Sequence, residues 1–185
     1  MSRSKFILLL AFLFLLTGTI AVEAQTPLEG TGTTVISDDQ SLGDRITVSM
    51  TGVTAPSEGT AYEGWLVSDD GAVELSTGVM SVAADGSISH TFDNTSEGYT
   101  GENLIASFGT FVITVEPVPD NDAGSSGTVV FSHSVPSGSI AHIRHLLTDW
   151  PSGSGVGIFT NLKTQLDIAI QHAELAASSA TIEDV

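Results

Sequence analysis

Between residues 35 and 135, apolar and polar side chains alternate in short runs separated by turn residues, the period-two signature of strands with one buried face. In Arg45-Ile46-Thr47-Val48-Ser49-Met50 the alternation puts Ile46, Val48 and Met50 on one face. Residues 62–67 form a second run, closed by the turn Ser68-Asp69-Asp70-Gly71, and residues 73–79 form a third. Ala84-Asp85-Gly86-Ser87 is an Asp-Gly turn of the kind that favours hairpins. After it Ile88, His90 and Phe92 alternate with polar residues. Residues 108–116 have the strongest strand composition, with Phe111, Ile113 and Val115 on one side, and residues 128–133 close the series. Six or seven strands with no intervening helix predict a mainly β fold, a single antiparallel β-sandwich. Residues 25–34, rich in Gly, Thr and Pro, read as a flexible lead-in.

The period changes after Pro136-Ser137-Gly138. Ser139 suits an N-cap, and Ile140, Ile143, Leu146 and Leu147 recur at helical spacing. Residues 150–155 break that pattern. A longer helix is expected from about Thr160, with Leu162, Leu166, Ala169, Ala173 and Ala176 as one stripe and Lys163–Asp167 as an i,i+4 pair. Thr181-Ile182-Glu183-Asp184 has the form of a capping box, which opens a helix. Residues 136–185 are therefore expected to be a small α-helical hairpin or a truncated helical bundle, because two short helices bury little alone.

The N-terminus changes the picture of where this sandwich works. Arg3 and Lys5 precede an apolar run over residues 6–16, and Val22-Glu23-Ala24 supplies small residues, the order of a secretory signal peptide with cleavage expected after Ala24. The run falls short of the ~20 residues a spanning helix needs, so a membrane role is expected only if this segment is retained as an anchor. The expected location is secreted, periplasmic or cell-envelope. The full chain has a formal net charge of −17; once residues 1–24 are removed, Arg45, Arg144 and Lys163 are the remaining Lys and Arg residues and the formal charge becomes −18. Such a surface repels phosphate backbones, which excludes nucleic acid as a partner. With no cysteine, disulfides, thiolate nucleophiles and zinc-cysteine sites are all excluded.

Three motifs carry a family resemblance: Tyr62-Glu63-Gly64-Trp65-Leu66-Val67, then Gly78-Val79 with Asp85-Gly86, then Phe111-Val112-Ile113-Thr114-Val115-Glu116-Pro117. Over residues 60–135 the chain resembles the extracytoplasmic C-terminal domain of the anti-sigma-K factor (RskA) family. There a Tyr-x-x-Trp-Leu strand and a Val-Thr-x-Glu-Pro strand end recur, followed by a Gly/Ser/Pro-rich turn and a final apolar strand. Residues 120–127 and 128–131 occupy those last two places. Full members carry a sigma-binding segment before a membrane helix, whereas five residues precede Phe6 here. The resemblance thus implies the sensor-side fold without the regulatory output. The recurrence of Glu116 implies a backbone or turn contact, and Tyr62 and Trp65 are expected to pack the core.

Candidate chemistry is sparse. His142 and His145 share a helical face, and His172 joins them if the two helices pack antiparallel. With Asp149 or Glu174 nearby they are candidate ligands for a transition metal, or in pairs for a haem iron. The turns Asp69-Asp70-Gly71 and Asp120-Asn121-Asp122 are candidate Ca²⁺ ligands, although turn chemistry alone accounts for those residues. No Gly-x-Ser-x-Gly elbow, phosphate loop, dinucleotide fingerprint or His-Glu-x-x-His run occurs, so no enzymatic activity is expected. The expected function is an exported binding or sensory module acting through a protein partner or self-association. The alternatives are a metal- or haem-binding envelope protein and a self-assembling structural surface protein.

Overall fold

The computed structural model describes residues 29–179, so the signal segment and the capping-box tail lie outside the described residues. Seven strands form two antiparallel sheets. One has the order β1-β2-β5, with β1 Thr31–Ser37, β2 Arg45–Thr51 and β5 Ile88–Phe92. The other has the order β4-β3-β6-β7, with β3 Thr60–Ser68, β4 Glu74–Met80, β6 Phe108–Pro117 and β7 Val129–Ser134. A one-turn helix, α1 Leu104–Ser107, precedes β6, and α2 Ser137–Leu147 and α3 Ile158–Ser178 follow β7.

The alternation read from the sequence selects the faces. Ile46, Val48 and Met50 are buried on β2 and pair with Phe92, His90 and Ile88 on β5. On the opposing sheet Tyr62, Leu66, Phe111 and Ile113 close the same cluster. The side chain missing at Gly64 is part of that packing: a Cβ there would stand 2.6 Å from the tip of Met80 and 3.0 Å from that of Phe111. The glycine lets both larger residues meet at the centre.

Three expectations are corrected. Residues 31–34, read as the end of the lead-in, are in β1, which pairs with β2 from Thr31↔Thr51 to Ser37↔Arg45. β1 is exposed as far as Val35, and with little burial its Gly/Thr sequence shows no period. The Asp85-Gly86 turn does close locally, Ala83 N–H to Ser87 O at 2.8 Å. However, β4 and β5 belong to different sheets, so the turn carries the chain across the sandwich and makes no hairpin. The first long helix starts at Ser137 with Pro136 at its N-cap, ahead of Ser139. Proline at a helix start loses no hydrogen bond, because the first N–H groups have no intrahelical partner.

The β1–β2 loop is organised by carboxylates. Asp44, 1 % exposed, accepts backbone N–H bonds from Asp39, Gln40 and Ser41 at 2.5, 2.9 and 2.8 Å. Arg45 reaches from the adjacent position to Asp39 at 2.7 Å and to Asp93 at 3.2 Å, tying the loop to the end of β5. Burial pushes the Asp44 carboxyl up, but the three N–H donors outweigh it and hold the pKa at about 2. A carboxyl depressed in the fold adds stability that is complete above its ordinary value near 3.8 and is lost as pH falls through about 2. Wild type should therefore lose more melting temperature between pH 4 and pH 2 than Asp44→Asn, and start higher at pH 7. Thermal melts of both proteins across that window check this.

Candidate functional site

Three residues of the family motifs, Trp65, Thr114 and Glu116, meet on the outer face of the four-stranded sheet. Trp65 is buried in the core, as expected, on the face of β3 opposite Tyr62 and Leu66 and so outside the inter-sheet cluster that holds them. Its Nε1–H donates to Thr114 Oγ1 at 2.8 Å, and the Thr114 hydroxyl donates to the Glu116 carboxylate. Both Glu116 oxygens accept from the Ser126 backbone N–H, at 3.0 and 3.1 Å. The Ser126 hydroxyl donates to Val115 O at 2.9 Å. Thr114 and Glu116 are 0 % and 2 % exposed. The backbone contact expected of Glu116 is thus Ser126, and it holds the polar segment between β6 and β7 against the sheet.

This chain of bonds is buried and fully partnered, so removing its middle member is costly. Thr114→Val leaves the Trp65 N–H and one Glu116 oxygen without that partner. Denaturant unfolding should show a loss of about 1–3 kcal/mol for it, and a smaller loss for Thr114→Ser.

A second constellation fixes α2 to the sandwich. Arg144 donates from Nη1 and Nη2 to Asp69, at 2.5 and 3.1 Å, and from Nε to Ile105 O at 2.9 Å. The guanidinium holds Asp69 below the ordinary carboxylate range, chiefly through its hydrogen bond, against partial burial. The cation beside the Asp69-Asp70-Gly71 turn is therefore Arg144. Asp70 is also occupied, accepting from the Ser68 hydroxyl at 2.7 Å and Ala72 N–H at 3.0 Å. In the other acidic turn, Asp120 and Asp122 accept from Asp122 N–H and Gly124 N–H. Sequence reading missed the Arg144–Asp69 pair because the partners lie 75 positions apart. The one available signal was the scarcity of cations.

The histidines are only partly brought together. The His142 and His145 rings lie 6.1 Å apart, and His145 lies tilted against Trp150, with ring centroids 4.6 Å apart. Among the described residues no group of three or more His, Asp or Glu is placed to hold a metal ion, so His172 does not join the pair. The reason is the course of α3, which has no buried residue and is exposed from Asn161 through Ser178, His172 included. Asp149 is taken up by the connection itself, accepting from Gly153 and Gly155 N–H at 2.8 Å each. Those two bonds lower its pKa. Trp150 N–H to Val156 O at 2.9 Å and the Thr160 hydroxyl to Leu147 O at 3.1 Å complete the joint.

A two-sheet antiparallel sandwich, with its signature residues bonded on one outer face and helices appended, is the class of domain this geometry defines. The family described as anti-sigma-K factor RskA, C-terminal, matches residues 16–129, and the chain belongs to that family. The match takes in both sheets, a longer span than residues 60–135, and ends at the first residue of β7. No curated protein and no solved structure matches the chain. Among the described residues no helix is long and apolar enough to cross a membrane.

Replacing Arg144 by Met keeps the aliphatic stem and removes the clamp. Amides of residues 137–147 should then exchange with deuterium markedly faster than in wild type, while β3 and β6 keep their protection, as measured by peptide-resolved hydrogen exchange.

Proposed function

We propose that the chain is an exported, non-enzymatic binding or sensory module of the cell envelope that acts through protein contacts, with α3 as a contact element. One observation carries this reading. Over its 21 residues α3 buries nothing, and Phe159, Leu162, Leu166 and Ile170, which share one face at helical spacing, stand 53, 61, 57 and 48 % exposed. An isolated helix of this length is marginal in water and gains stability when an apolar face is covered. Contiguous exposed apolar surface of this kind marks an interaction site. Membership of an anti-sigma factor family supports protein contact in general.

Charge narrows the partner. At a formal net charge of −17, two copies repel each other, whereas a helix with an apolar stripe flanked by Lys or Arg is attracted. The charged, apolar and small-residue order of residues 1–24 supports export.

Site-specific photo-cross-linking in producing cells tests the reading, with the probe at Leu166 and a control at the exposed Glu97. A discrete adduct with another protein from Leu166 alone, on a chain beginning at Gln25, is expected. An adduct of twice the chain's own mass would replace this reading with self-assembly. No adduct, or the same adducts from both positions, overturns the contact role, and a cytoplasmic chain retaining Met1 overturns export.

A further inference from the structure

The two sheets do not close along one side. There β1 and β7, each the edge strand of its sheet, flank a cleft of about 510 Å³. Leu66 and Phe111 form its floor, Ile36 and Phe131 its walls, and Ile143 and Leu147 of α2 its roof. Leu66 and Phe111 are buried, while Ile36, Phe131, Ile143 and Leu147 are each half-buried, so their uncovered surfaces converge on one space. Interiors pack to crystal-like density with few voids larger than a water molecule. A concave apolar space of this size falls within the range of small-molecule sites, about 300–1,000 Å³.

The lining says what would fill it. Contact runs along β1 from Gly32 to Ser37, about 20 Å of strand at ~3.3 Å per residue, so the space is elongated. Its titratable lining groups are Asp38 and His133, and no Lys or Arg lines it among the described residues. The two guanidiniums of the described residues are engaged elsewhere, Arg144 with Asp69 and Ile105 O and Arg45 with Asp39 and Asp93. An anionic headgroup would therefore meet a carboxylate and no free cation. Thr34, on the same face of β1 as Ile36, stands among the lining, and its hydroxyl offers a hydrogen bond to a neutral polar end.

We propose that the cleft between β1 and β7 is a binding site for an elongated apolar small molecule that carries no negative charge. It gives the module a chemical input distinct from any contact made by α3. Because α2 roofs the cleft, occupancy covers Ile143 and Leu147 and stabilises the docked position of that helix. The site stands on the sandwich and α2, so it holds whether or not α3 engages a partner.

The test uses the purified protein with the uncharged fluorophore N-phenyl-1-naphthylamine, competed by 1-dodecanol and, at pH 8, by dodecanoate. Two variants alter the cleft from opposite sides. Thr34→Phe fills it from an exposed position on β1 with a residue that suits strands, and Ile143→Glu puts a charge into the roof. Thermal melts confirm that each variant is folded. The expected result is saturable one-to-one binding, displaced by dodecanol at concentrations at least tenfold below those needed for dodecanoate. Affinity should fall at least tenfold in whichever variants fold. The absence of saturable binding to wild type overturns the proposal, as does binding that folded variants leave unchanged. Equal competition by dodecanoate overturns the charge selectivity.

Discussion

Strand β6 is covered on both faces, and the rest of the molecule is arranged around that constraint. A two-sheet sandwich ordinarily buries one face of each sheet and leaves the other to water. Here Phe111 and Ile113 enter the inter-sheet cluster while Thr114 and Glu116 are equally buried on the opposite side. Burying a carboxylate is costly unless its oxygens are bonded. Thr114 and the Ser126 N–H provide those bonds, and Trp65 caps the row. Trp65, Thr114 and Glu116, three of the residues by which the family resemblance is recognised, are therefore the ones that make a second covered face tolerable. They report on architecture and say little about chemistry.

The same economy applies to the cations. Arg45 joins the β1–β2 loop to β5, Arg144 joins α2 to the β3–β4 turn, and Lys163 pairs with Asp167 along α3. Each described Lys or Arg is thus engaged within the molecule, and the outward surface keeps the acidic excess. That excess selects for basic or neutral partners at every face, by long-range attraction more than by any single contact.

Much of this was legible in the sequence where burial and periodicity coincide. Ile46, Val48 and Met50, or Phe111 and Ile113, can be assigned to one face because strands alternate with period two. What could not be read is how strands divide between sheets: the Asp85-Gly86 turn is the same local object in a hairpin and in a crossover. Nor does period two tell which face of a doubly covered strand meets the other sheet: Tyr62 and Trp65 are both buried, and of the two Tyr62 joins the inter-sheet cluster. β1 escaped notice because Gly32 and its threonines are exposed, and α1 because four residues hold no period. The histidines show the limit most clearly. Spacing brought His142 and His145 together, but the position of His172 depends on a helix angle set by Asp149 and backbone N–H groups in the connecting loop.

That joint also governs how α3 behaves as a mechanical object. At ~1.5 Å per residue, 21 residues extend about 30 Å, and among the described residues the helix is held at its N-terminal end. It is a lever arm, with the Asp149-bonded turn as its pivot and α2 as its short limb. A load applied near Leu175 acts on the pivot multiplied by that length, and the next attachment to resist it is the two-pronged grip of Arg144 on Asp69. A displacement at the tip is thereby converted into a twist of the helix that roofs the gap between the sheets.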